Sequence, residues 1–113
     1  MGKAERDKGA RGELMLRDVL RKHGWPRAER GAQRHGSPDS PDVRHGPVGV
    51  HFECKFVESL SPRAALGQAC EDAGLGETPA VAWKKSKEPW VVVLHLGAFL
   101  DLLRELELRR LME

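Results

Sequence analysis

Along residues 50–57 the apolar Val50, Phe52, Cys54 and Phe56 alternate with His51, Glu53 and Lys55. A period of two is that of a β-strand, so Glu53 and Lys55 share one face and the apolar side chains can enter a core. From residue 8 to about 23, Leu14, Met15, Val19 and Leu20 recur among polar residues at the spacing of an amphipathic helix, which Gly24 and Pro26 would end. Arg27 to Gln33 reads as a short polar edge strand and 35–41 as loop. Asp42-Val43-Arg44 and the strand at 50–57 are expected to pair as a hairpin over 45–49. Ser61 before Pro62 marks a helix start, with its stop before Gly74 and Gly76. Pro79 to Lys84 and Pro89 to Leu96 read as apolar strands separated by the basic turn 85–88, and a leucine-rich helix fills 97 to about 112.

The order is therefore α-β-β-β-α-β-β-α, an α/β fold with a mixed β-sheet flanked by helices. With 113 residues the chain suits a single domain spanning 1–113. No apolar run approaches the roughly 20 residues of a bilayer span, and the charged start at Lys3, Glu5 and Arg6 has no hydrophobic stretch behind it. The expectation is a soluble, cytoplasmic protein with no membrane partner. Cys54 and Cys70 have neither metal-ligand spacing nor a disulfide pattern, and both are expected to be small buried residues.

A net charge of +2 hides an uneven distribution. Residues 1–35 hold ten Lys/Arg against five Asp/Glu, whereas 36–61 hold two against four. Basic surface beside acidic patch suits a protein that grips phosphates with one region and a divalent cation with another. Glu13 on the first helix, Asp42 opening a strand and Glu53 on its partner are expected to converge. Two like charges about 4 Å apart cost on the order of 4 kcal/mol at an effective dielectric of about 20, and Lys55 brings one positive charge against three negative ones. A hard cation would close that deficit, and oxygen ligands favour magnesium, with manganese as a substitute, over zinc. The chemistry permitted is phosphodiester hydrolysis, with Lys55 orienting the attacking water or neutralising the phosphorane. Otherwise Glu53 and Lys55 are simply the wet face of an edge strand.

Lys8-Gly9-Ala10-Arg11-Gly12-Glu13 opening a helix, then Pro41-Asp42-Val43, Glu53-Cys54-Lys55, and a helix containing Gln68 together resemble the archaeal-type and phage Holliday-junction resolvases of the PD-(D/E)xK nuclease superfamily, over residues 6 to 95. The resemblance implies a restriction-endonuclease-like core, a homodimer, magnesium dependence, no small-molecule cofactor, and resolution of branched DNA, the four-way junction, by paired nicks in a prokaryotic or phage-infected cell. It also implies that Glu13, Asp42, Glu53 and the Cys54 backbone carbonyl form the metal site, that Lys55 is the catalytic lysine, and that a loop serine assists. Ser37 and Ser40 lie nearer Asp42 than that pattern expects. Asp39 competes with Asp42, because Ser-Pro-Asp occurs twice; Asp42 is preferred because Val43 can enter a strand.

Gln68 is placed where its amide would bond a bound water or phosphate, or else is an exposed helix residue. Lys3, Arg6, Lys8 and Arg11 are read as a basic N-terminal arm, flexible over 1–7, that contacts DNA; Arg63 at a helix start and Lys84, Lys85 and Lys87 in a turn are further phosphate contacts. Trp25, Trp83 and Trp90 are expected in core or interface rather than stacked on bases. The five histidines show no metal-binding spacing and are read as structural or surface residues. The last helix carries leucines on more than one stripe, wider than a small core needs, and so offers a dimer interface. Other readings are an endonuclease of the same fold acting on flaps, nicked or sequence-specific duplex, and a silent DNA-binding module.

Overall fold

A computed structural model of the chain describes residues 2–31 and 41–113. Helix α1 (Lys3–Lys22) is followed by strands β1 (Glu29–Arg30), β2 (Val43–Arg44) and β3 (Val50–Phe56), helix α2 (Pro62–Asp72), strands β4 (Thr78–Lys84) and β5 (Val91–Val93), and helix α3 (Leu96–Met112). The expected order of elements is observed. β3 and β4 run parallel, Val50 opposite Thr78 through Phe56 opposite Lys84, and β5 pairs antiparallel with β4, making a mixed three-stranded sheet. β1 and β2 form a separate antiparallel pair.

Parallel strands joined through a helix are covered on both faces, and each face of this sheet has its own core. On one, Leu16 and Leu20 of α1 meet Val43 and Ala82, with Phe52, Cys54 and Trp90 packed against them. On the other, Ala65, Leu66 and Ala69 of α2 meet Val81, flanked by Leu60, Trp83 and Val93. Successive residues Val81 and Ala82 thus serve opposite cores, the period-two signature of a strand between two layers.

Several boundaries depart from the sequence reading for identifiable reasons. α1 begins at Lys3, so Lys3, Arg6, Lys8 and Arg11 are helical instead of forming an arm ahead of the helix. The run is rich in good helix formers, and the Glu5 carboxylate accepts the Gly2 backbone N–H at 3.0 Å. Gly24, at φ 111°, turns the chain out of α1 as anticipated. The hairpin ladder between β2 and β3 does not form. One backbone bond, Asp42 N–H to the Phe52 carbonyl, joins them, and the next donor, Cys54 N–H, goes to the Asp42 side chain at 2.7 Å. A carboxylate thus takes the place of a ladder acceptor, and β2 pairs with β1 instead. Ser61 stands at the N-cap of α2, although its hydroxyl makes no capping bond. Cys70 is exposed rather than buried, because it lies one residue past Ala69 and off the buried stripe of α2. Gln33, Ser37, Asp39 and Ser40 lie outside the described residues.

α3 buries no residue at all. Its large side chains range from 41% exposed at Leu102 to 85% at Met112, and Val91 and Val92 of β5 are exposed with them. No described helix is long and apolar enough to cross a membrane.

Candidate active site

Glu53 sits midway along β3 on the face covered by α2 and is only 8% exposed. It is therefore not on a wet strand face. Burial, first, and then the neighbouring charges and proton-sharing contacts of Asp42 and Asp72 push its carboxyl up from 4.5 to about 8. Asp42 reaches Glu53 because its own backbone is fixed from two sides: its carbonyl accepts Gly31 N–H at 2.9 Å and its N–H bonds β3. Its carboxylate is anchored by Cys54 N–H. Gly31 is required there, since a Cβ would stand 2.1 Å from the Pro41 carbonyl oxygen.

Glu13 comes from α1 and is brought against the sheet by Gly12, whose absent Cβ would fall 2.6 Å from the Phe56 Cβ. Its carboxyl is also raised, by burial and by the charge of Asp42, while Arg30 opposes the shift. Arg30 Nε donates to Glu13 Oε1 at 2.5 Å. The Cys54 thiol, between these acids, is held well above its ordinary value by burial and by the charges of Asp42 and Glu13, with Lys55 acting against them. It is thus a packing residue, not a nucleophile.

Three carboxylates read from the sequence are accordingly brought to one place, joined by Asp72 and Arg30, which sequence reasoning missed. Asp72 ends α2, where nothing in the local pattern separates it from a solvated helix acid. Arg30 lies on a two-residue strand whose partner is distant in sequence. Gln68 donates its amide to Asp72 at 3.1 Å, so it meets the cluster through that carboxylate. Among the described residues, no three His, Cys, Asp or Glu side chains are arranged as a ready metal-binding group. The donor chemistry fits a hard divalent cation, because carboxylate oxygens from separate elements line one cleft. One Glu13 oxygen is engaged by Arg30.

The cluster opens into a cleft of about 730 Å³ lined by Glu13, Asp42, Glu53 and Lys55 together with Glu5, Arg6 and Lys8. Lys8 lies over the Phe56 ring at 4.7 Å and Lys84 approaches the same ring at 5.9 Å. Glu58 ties these segments together by accepting from Lys8 and from the Ser86 N–H and hydroxyl. The Ser86 backbone N–H is the main reason its carboxyl is held low. Of the other basic residues expected to face DNA, Lys3, Arg11, Arg63, Lys85 and Lys87 are exposed outside the cleft walls, Lys85 beside the Trp83 ring at 5.5 Å. Trp83 and Trp90 pack against the two cores as expected, whereas Trp25 is exposed. His51 is buried on the Glu53 face, with Nδ1 3.7 Å from Glu77 and neither ring nitrogen hydrogen-bonded among the described residues.

The fold and the site define an α/β domain with a mixed sheet flanked by helices, carrying a cluster of partly buried acids in a cleft that Arg6, Lys8 and Arg30 also line. No protein-family model, curated protein or solved structure matches the chain.

Proposed function

We propose that this domain is a divalent-metal-dependent DNA endonuclease with a restriction-endonuclease-like core, cutting four-way junctions by paired nicks as a homodimer. The observation that carries the reading is the meeting of Asp42, just ahead of β2, and Glu53 of β3 in one cleft with Lys55, two residues along the strand from Glu53. Carboxylates with disturbed protonation cluster at functional sites, and metal-dependent hydrolysis needs such crowding.

Asp42, Glu53 and Glu13, with the Cys54 carbonyl, would hold magnesium or manganese. Bound there, the cation supplies positive charge to the phosphate and a more acidic water. Lys55 orients the nucleophile or meets the charge developing on the phosphorane. Arg6 and Lys8, with Lys84 across the Phe56 ring, hold the flanking backbone phosphates. Asp72, by its contact with Glu53 and its charge, favours a proton on that carboxyl, which a bound cation would have to displace. Symmetric resolution needs two such sites, and the uncovered apolar surface of α3 is where a second copy supplies the other, because a two-fold interface pairs one patch with itself.

Incubation with an immobile four-way junction, a flap and a linear duplex of equal length tests the assignment. Paired nicks in the junction alone are expected in magnesium. Equal cutting of all three transfers the activity to general endonuclease action, and uncut DNA in both magnesium and manganese removes it.

A further inference from the structure

The Glu13–Arg30 pair joins two residues that the chain places very differently. Glu13 is fixed on a helix pressed to the sheet, and its side chain is 13% exposed. Arg30 has its backbone pinned in register opposite Val43, the neighbour of Asp42, yet its side chain extends to the cleft with 40% exposure. The guanidinium is therefore the member with room to move. Its bond to Glu13 uses the Nε donor, one of five N–H groups in a fork that suits phosphate oxygens. A divalent cation taking Glu13 as a ligand has to compete with this bond, since Arg30 holds Oε1 and its positive charge stands against the same carboxylate.

We propose that Arg30 is a displaceable counter-ion: it neutralises Glu13 until a divalent cation claims that carboxylate, and its freed guanidinium then grips a phosphate of the bound DNA. The inference rests on the nuclease reading above and adds the order of events. Metal binding and phosphate binding become linked, because the same side chain opposes one and serves the other. A guanidinium that merely propped Glu13 in place would favour the cation instead of opposing it.

Equilibrium titration with manganese, followed by electron paramagnetic resonance of the free ion, separates these possibilities in the wild-type protein and Arg30→Gln. Removing the competitor is expected to tighten manganese binding about tenfold, equivalent to about 1.4 kcal/mol, while affinity for a junction in calcium falls. Unchanged or weaker manganese binding by folded Arg30→Gln overturns the proposal. Should that variant not fold, Glu13→Gln gives the reciprocal measurement. Releasing Arg30 from its partner is expected to strengthen junction binding in metal chelator, and no gain there rejects the idea equally. A wild-type protein that takes up no manganese contradicts the nuclease reading itself, whereas uptake without tightening in Arg30→Gln contradicts only the displacement.

Discussion

At the scale of single residues, Glu53 sets the behaviour of the site. Its carboxyl is raised from 4.5 to about 8, so between those values the folded chain holds a proton that the unfolded chain has lost. Stability from this group is therefore full below the lower value, declines as pH rises through the interval, and levels off above the upper one. Thermal unfolding in chelator is expected to show a melting temperature falling from about pH 5 to about pH 8. Magnesium should raise that temperature more at the alkaline end, where no proton has to be displaced. A melting temperature flat across the range would refute this. Asp72 contributes to the shift through both its charge and its contact with Glu53. Asp72→Asn should therefore move the upper end of the decline, and the acid limb of DNA cleavage, to lower pH, while its onset stays in place; an unmoved profile would show that the contact is without effect.

At the scale of elements, α1 and β3 are held in register by the close approach at Gly12. A methyl group there meets the Phe56 Cβ, which cannot rotate away. Gly12→Ala is expected to lower stability by about 1–3 kcal/mol, the usual cost of overpacking, and to weaken metal binding more than an equally destabilising change elsewhere, because Glu13 follows directly. Chemical denaturation and manganese titration check the two parts. Much at this scale was legible from sequence. The alternation along 50–56 and the cap-like Ser61-Pro62 pair gave β3 and α2 almost to the residue. Asp42, Glu53 and Lys55 were legible because short-range alternation and a Pro-Asp-Val segment mark strand positions. The partners of those acids were not: Asp72 and Arg30 reach them through tertiary contacts that leave no periodic trace. Pairing of β2 was misread because a side chain captured a ladder donor, an event the hydrophobic pattern does not encode. The alternation assigned Glu53 and Lys55 to the face opposite the apolar one, but that α2 covers this face too was not legible, since the pattern of one strand carries no information about the layer above it.

At the scale of the whole molecule, the exposed helix α3 is the largest departure from a self-sufficient fold. A 17-residue helix with no buried position gains little from tertiary packing and is marginal in water by itself. Its leucines are accordingly expected to be covered in solution by those of a second copy. Light scattering should give twice the chain mass of 12.6 kDa, and Leu106→Glu should give the chain mass itself, with paired nicking reduced to single, uncoupled nicks. A wild-type monomer at micromolar concentration would contradict junction resolution by paired cuts. Arg6 and Lys8 line the cleft with the acids, and Lys84 approaches the Phe56 ring that lines it too. The most direct measurement is strand scission of an immobile four-way junction in magnesium by the wild-type protein and by Glu53→Ala. Cleavage by the first and none by the second is expected, and equal cleavage by both, or none by the wild type, would contradict the account.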